Sequence, residues 1–195
     1  MVGLSSVVLR RLLTWRQFAA IDEGDQMRGV ELVDGELEEG ELPTRKHGRI
    51  VTRLIMLLGP WLERSGGGEL LSQDNRVRIG PRRVRKPDLV LVRRADNPVF
   101  EDETLVSPPF IIVEIITKTA RDEHRDRVTK LADYESLGAN QYWIIDPDID
   151  RLEVYTLADG LFGAPRVFEA NDVVVGDQLG IDGLAFRPAA LGTEL

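Results

Sequence analysis

Two nearly continuous apolar runs constrain the fold more than any other feature of this sequence. They are PDLVLVRR, which begins at Pro87, and PPFIIVEIITK, which begins at Pro108. Apolar runs of this length that are rich in Val and Ile are typical of central strands covered on both faces. The chain therefore needs a layer of structure on each side of its sheet.

Two segments with helical spacing can supply these layers. In residues 46–64 the apolar positions form one wide face, and Pro60 is expected to kink this helix or mark its last turn. The segment RDRVTKLADYESLGA has the same spacing and a helix-ending glycine at Gly138. A shorter helix is predicted near the N-terminus, because Thr14 is followed three residues later by Gln17, as in a capping box.

Shorter strands complete the predicted sheet. The pair Asp34-Gly35 favours a tight hairpin turn, NRVRIG alternates polar and apolar residues, and QYWIIDP and RLEVYTL flank an Asp-Pro-Asp turn. The order of elements predicts an α/β or α+β domain, with a mixed central sheet and a helix on each face. We expect a single domain over residues 1–195, with an N-terminal extension (1–13) and C-terminal strands and turns (158–195).

Composition restricts the possible functions. The chain has no cysteine, which excludes disulfides, thiolate zinc sites and a thiol nucleophile. The absence of cysteine makes a reducing cytoplasm the expected compartment, and because no apolar stretch has membrane-spanning length, we expect no membrane partner. The net charge of −8 repels nucleic acid on average, yet residues 76–86 hold six cations and no acid. This basic run is either a solvated face or a contact surface for nucleic acid.

Glu114 is the residue that this fold cannot bury without a partner. It lies inside an apolar strand, where an unpaired carboxylate costs on the order of several kcal/mol. In one interpretation Glu114 pairs with a buried arginine, and Asp88 only caps a turn after Pro87. In the other, Asp88 and Glu114 lie side by side on adjacent strands and hold a hard divalent cation such as Mg²⁺. Spacing alone leaves both interpretations open.

An ordered set of motifs resembles a known family. RKPDLVLV, FIIVEIIT and DRVTKLADYESLGANQYWIIDP, preceded by VELVDGELEEGELPTRKHGRIVTRLIMLLGPWL, are similar to the Uma-type family of putative restriction endonucleases, formerly a domain of unknown function. The resemblance spans residues 14–157. It implies a PD-(D/E)XK nuclease core with Asp88 and Glu114 as metal ligands. It also implies hydrolysis of DNA phosphodiester bonds with Mg²⁺, or with Mn²⁺ as a substitute.

The catalytic lysine is the main departure from that superfamily. The superfamily places it two residues after the glutamate, where this chain has Ile116. Lys118 lies on the same strand face as the glutamate but roughly 13 Å further along the strand. Lys130 lies on the following helix, where the family usually has a lysine, and we assign the role to it. The alternative is a solvated Lys130 that pairs with Asp126 or Asp133.

Other site residues rest on the resemblance. His47 matches a family histidine at the start of the long helix, where an imidazole can bind a metal or a phosphate. An upstream acid completes the metal site in many superfamily members, and we choose Glu36 over Glu31 for it. Tyr134 either orients the catalytic lysine or packs in the core. His124 is expected in an exposed loop.

The expected partner is DNA, and the expected assembly is a homodimer, since two strands need two sites. The residues expected to face the phosphate backbone are Arg82, Arg83, Arg85 and Lys86. Ile116 and the net charge of −8 leave a second function open. The Thr117-Lys118-Thr119 stretch, where the family usually has a Ser-Pro-Ser-like sequence, is a further departure beside the site. The second function is a nuclease fold that binds or assembles without turnover.

Overall fold

A computed structural model of the chain describes residues 12–22, 24–40, 43–116 and 125–193. The expectations for Lys118 and His124 fall outside these residues. The α-helices of the described residues are α1 (Trp15–Ile21), α2 (Arg45–Arg64), α3 (Leu131–Leu137) and α4 (Pro188–Gly192). None of them is long and apolar enough to cross a membrane.

The strands form two larger sheets and one short pair. They are β1 (Val30–Val33), β2 (Glu36–Glu39), β3 (Gly68–Ser72), β4 (Arg76–Gly80), β5 (Arg83–Arg85), β6 (Leu89–Arg93), β7 (Phe100–Glu101), β8 (Thr104–Leu105), β9 (Ile111–Ile115), β10 (Gln141–Asp146), β11 (Arg151–Ala158), β12 (Leu161–Phe162), β13 (Arg166–Phe168), β14 (Val174–Val175) and β15 (Ala185–Phe186). One sheet has the order β2-β1-β5-β4-β8-β7, and the other has β12-β11-β10-β9-β6-β3 with β13 also on β11. The remaining pair is β14-β15.

The second of these sheets contains both apolar runs at its centre. Strand β9 is buried along its whole length and lies between β6 and β10, antiparallel to β6 and parallel to β10. The sheet is therefore mixed, as predicted. Strands β6 and β9 are covered on both faces, which explains why their sequences show no alternation of polar and apolar residues.

A helix covers each face of this sheet, as predicted. Helix α2 packs its buried side chains, such as Leu54 and Trp61, against Val113 and Trp143 on one face. Helix α3 packs on the other face, where Tyr134 lies among the side chains that point the opposite way along β9 and β10. Because side chains alternate along a strand, β9 contributes residues to two cores, one on each face of the sheet.

The local signals at helix and turn boundaries are confirmed. Thr14 and Gln17 form both bonds of the capping box, and Asp34 and Gly35 take positive φ angles of 52° and 87° at the tip of the β1–β2 hairpin. Gly138 ends α3 in the left-handed conformation. Helix α2 continues through Pro60 to Arg64, so this proline does not end it.

One helix differs from the prediction. The segment predicted as a single α-helix begins as a π-helix, Arg125–Lys130, which runs directly into α3. π-Helical turns are rare and occur frequently at functional sites. In this one, both Asp126 and Lys130 are buried, although charged residues four apart on a surface α-helix would lie in solvent.

The core of α2 provides a test of this packing. Leu54 is fully buried, whereas Met56 on the same helix is 70% exposed. We expect Leu54→Ala to lower the free energy of unfolding by about 2–5 kcal/mol, because it leaves a cavity between the helix and the sheet. The control Met56→Ala should change it by less than about 0.5 kcal/mol in urea unfolding. Similar values for the two variants would contradict this helix orientation.

Candidate functional site

Asp88 and Glu114 meet at one edge of the central sheet. Strands β6 and β9 are antiparallel with Leu89 opposite Val113, so one step further along Asp88 lies opposite Glu114. Directly opposed residues point to the same face of a sheet. The two carboxylates therefore lie side by side, as in the second of the two interpretations that the sequence left open.

The carboxylate of Asp88 is held at both oxygens. The backbone N–H of Ile115 donates to Oδ2 at 2.7 Å, and His47 Nε2 lies 2.8 Å from Oδ1. His47 is buried in the first turn of α2, where its own N–H donates to the hydroxyl of the N-cap residue Thr44 at 3.2 Å. The start of α2 thus positions the histidine, and the histidine positions Asp88.

Glu114 is buried and accepts from two donors on the same helical segment. Lys130 Nζ lies 2.9 Å from its Oε1, and the Tyr134 hydroxyl donates to the same oxygen at 2.6 Å. Glu114 is 4% exposed and Lys130 is also 4% exposed. The cation that pairs with Glu114 is thus a lysine, and not the buried arginine of the first interpretation.

The lysine itself faces three carboxylates. Besides Glu114, its Nζ lies 3.3 Å from Asp126 Oδ1 and 3.8 Å from Glu31 Oε1. Asp126 was considered from the sequence only as a surface partner of Lys130. In the structure it is 3% exposed and belongs to the cluster. In the sequence, the only sign of this role for Asp126 was its position four residues before Lys130.

Negative charge exceeds positive charge around Glu114. Burial raises the pKa of Glu114, Lys130 opposes this, and the nearby Asp126, Asp88 and Glu31 raise it further, to about 8. Burial likewise raises the pKa of Asp126, although Lys130 lowers it in part. The site therefore holds carboxylates that one lysine does not fully neutralise.

Glu31 has the opposite electrostatic character. Burial would raise its pKa, but Lys130, Arg85 and a hydrogen bond from the Lys86 backbone N–H outweigh that effect and lower the pKa to about 2. Arg85 Nη1 lies 2.8 Å from Glu31, and its other face binds Asp133 at 2.6 Å. Glu31 is therefore ionised at neutral pH.

The upstream acid predicted from the sequence was Glu36, and the structure places Glu36 and Glu31 differently. Glu36 is exposed on β2, and it is not among the residues that line the cleft. Glu31 on β1 lines the cleft together with Asp88 and Glu114. The choice depends on the pairing of β1 with β5, a long-range contact that places Glu31 beside Arg85.

The basic run does not form the expected surface. Arg85 is 1% exposed, and the Lys86 side chain is 3% exposed and bound to Asp22 at 2.7 Å and to the Met27 carbonyl at 2.9 Å. Arg83 is half-buried and bridges Asp34 and Asp133, so among the four predicted phosphate contacts Arg82 alone is exposed. Arg85 and Lys86 are thus structural ion-pair residues.

The carboxylates line a cleft with a volume of about 90 Å³. Within the part of the chain that the structure describes, no three His, Asp or Glu side chains converge as a ready-made metal cage. Mg²⁺, however, is usually held by one or two carboxylates together with waters and substrate phosphates. The carboxylates of Asp88 and Glu114 on adjacent strands, and the carboxylates close to Glu114, fit such an ion.

A mixed sheet with a helix on each face and two carboxylates on adjacent central strands is the arrangement that the resemblance to restriction endonuclease-like proteins implies. A family model described as "Uma2: Putative restriction endonuclease" matches residues 15–187, and the chain belongs to this family. The resemblance seen in the sequence is thereby confirmed.

A solved structure has the same fold. It is described as a putative nuclease belonging to DUF820 from Anabaena variabilis, and it matches with a TM-score of 0.72 and 19% identity over 92% of this chain and 97% of the other. No curated protein matches the chain. At this identity the structural similarity establishes the fold, and the chemistry has to be argued from the site itself.

The raised pKa of Glu114 predicts how stability depends on pH. Its folded-state pKa of about 8 lies above the ordinary 4.5, so its contribution to stability is fully present below pH 4.5 and is lost as pH rises through 8. Glu114→Gln removes this loss and leaves Lys130 paired with its other acids. We expect its melting temperature relative to the unsubstituted protein to rise by about 2–4 °C or more between pH 5 and pH 8.5 in metal-free buffer.

Two comparison variants sharpen this measurement. Glu69→Gln on the exposed side of β3 should show no such trend. Glu31→Gln should be destabilised at neutral pH, because the lowered pKa of Glu31 gives stability above pH 4.5 that disappears only as pH falls through about 2. A Glu114→Gln variant whose relative melting temperature falls with pH would contradict the charge excess described above.

Proposed function

We propose that this protein is a metal-dependent endonuclease that hydrolyses phosphodiester bonds in DNA, with Mg²⁺ as the cation. The observation that carries the proposal is the arrangement of three side chains. Asp88 and Glu114 oppose each other on adjacent strands, and the Lys130 ammonium lies 2.9 Å from Glu114. A carboxylate pair beside a lysine supplies both the ligands for a hard cation and a positive donor for a phosphate.

In this proposal the cation is held by Asp88 and Glu114, with Glu31 at the edge of the cleft. When bound, the cation supplies polarisation of the phosphate, a lowered pKa of bound water and neutralisation of developing charge. The Ile115 backbone N–H and His47 hold Asp88 in one orientation. A metal ligand that is already held in place loses little conformational freedom when the cation binds, which favours catalysis.

Lys130 takes the role of the lysine that is absent after the glutamate. Ile116, at the usual lysine position, is 6% exposed and packs in the core with Tyr134 and Ile112, so it cannot contact a substrate. Lys130 approaches Glu114 from the helix instead, and its ammonium can donate to phosphate oxygens as negative charge develops there. Tyr134, by donating to Glu114, limits that carboxylate to one rotamer.

Cleavage assays with purified protein test this function. With Mg²⁺ or Mn²⁺ the protein should cleave DNA, and chelation should stop the reaction. Asp88→Asn, Glu114→Gln and Lys130→Met should each lower the rate at least about 10²-fold, the usual scale for losing a metal ligand or a transition-state donor. Glu69→Gln, on an exposed strand position away from the cleft, should cleave normally.

Two results would contradict the proposal. Equal activity in Asp88→Asn would show that the nuclease is a contaminant. Inactivity on single-stranded, duplex and branched DNA, together with no calorimetric binding of Mn²⁺ or Mg²⁺ at millimolar concentration, would favour the second function, a binding or assembly module. The departure at Ile116 and the net charge of −8 are what favour that alternative.

Cutting both strands of a duplex requires two active sites, so we also propose that the working form is a homodimer. Light scattering measures this directly. A monomer at assay concentration that still cuts both strands at one position would rule the dimer out.

A further inference from the structure

The two oxygens of the Glu114 carboxylate have different surroundings. Oε1 accepts a hydrogen bond from the Tyr134 hydroxyl at 2.6 Å, and the Lys130 ammonium lies 2.9 Å from the same oxygen. Within the part of the chain that the structure describes, no donor forms a hydrogen bond with Oε2. Because Glu114 lines the cleft, Oε2 is the oxygen that it can offer to a cation without breaking a bond to the protein.

The Tyr134 hydroxyl is fixed where it holds Oε1. Its side chain is fully buried in the core that contains Ile112 and Ile116, and its ring meets the ring of Tyr142 edge-on at a centroid distance of 4.9 Å. A cation that used both oxygens of Glu114 would displace this hydroxyl from its acceptor. The hydroxyl would then be buried without a partner, which is unfavourable.

Divalent cations differ in what they require of a carboxylate. Ca²⁺ takes six to eight oxygen ligands in flexible geometry and often binds both oxygens of one carboxylate. Mg²⁺ requires a near-ideal octahedron and usually keeps several waters beside one or two carboxylates. A glutamate that is limited to one oxygen therefore suits Mg²⁺ better than Ca²⁺.

We propose that Tyr134 is a positioning residue that selects the cation. By holding Oε1 it limits Glu114 to ligation through one oxygen, and it thereby favours a small octahedral cation such as Mg²⁺ over Ca²⁺. This inference rests on the proposed nuclease function and names the class of cation that the same site prefers.

The variant Tyr134→Phe keeps the buried ring and removes only the hydroxyl. Affinities for Mg²⁺ and for Ca²⁺ are measured without DNA, from the competition of each ion with Mn²⁺ in electron paramagnetic resonance titrations. We expect the ratio of the Ca²⁺ affinity to the Mg²⁺ affinity to rise about tenfold, the scale of the charge-assisted hydrogen bond that binding through both oxygens would otherwise break. A merely structural loss would weaken the binding of both ions alike and leave the ratio unchanged.

Tyr142→Phe is the matched control. Tyr142 is equally buried in the same core, but its hydroxyl donates to the backbone carbonyl of Asp126 at 3.0 Å and not to a carboxylate. This variant should keep the affinity ratio of the unsubstituted protein. An unchanged ratio in Tyr134→Phe, or an equal rise in Tyr142→Phe, overturns the inference.

Infrared difference spectra of the unsubstituted protein, with and without each ion, give a readout that does not depend on the folding of Tyr134→Phe. The two carboxylate stretching bands lie further apart for ligation through one oxygen than through two, and Glu114→Gln identifies the bands of this residue. We expect ligation through one oxygen with either ion. A two-oxygen signature at Glu114 overturns the inference, whereas DNA cleavage by the same preparation in Mg²⁺ shows that the proposed function survives. If neither ion binds and DNA stays intact, both are overturned.

Discussion

The buried guanidinium of Arg85 connects the parts of this protein that the site needs. It lies on β5, binds Glu31 on β1 and Asp133 on α3, and is 1% exposed. Removing one partner of a buried ion pair leaves an uncompensated charge, so the three elements keep their relative positions. Glu31 reaches the cleft because β1 is held there. Helix α3 is fixed at Asp133, which lies between Lys130 and Tyr134 along the same helical segment.

Around Glu114, three other carboxylates outweigh the effect of Lys130. A core selected only for stability would not place Glu114, Asp126 and Asp88 close enough to raise the pKa of Glu114. Strained or unfavourable charge arrangements that persist in a well-packed protein occur at functional sites, where an added ligand relieves them. A divalent cation is such a ligand, since it replaces repulsion between carboxylates by attraction. The same charges that weaken the fold at alkaline pH are therefore the ones that favour metal binding.

Local patterns were sufficient for most of the fold and for the need of Glu114 for a cationic partner. Apolar runs, caps and turns act within a few residues, and the cost of burying Glu114 required a cationic partner whatever the details were. The choice between Glu31 and Glu36 was different. It depends on which strand lies beside β1, because Leu32 pairs with Val84 from a distant part of the chain. No local pattern encodes that pairing. The local sequence of the β1–β2 hairpin therefore does not show which of the two glutamates lines the cleft.

The basic run shows why a cluster of charges in a sequence does not by itself indicate a charged surface. Arg83 and Arg85 flank Val84, which is fully buried, so on a strand both arginines point away from that core and toward α3. The acid that meets them, Asp133, lies nearly fifty residues further along the chain. Of Arg82, Arg83, Arg85 and Lys86, only Arg82 is then left exposed. With a net charge of −8, the chain has enough acids to pair such a run of cations internally.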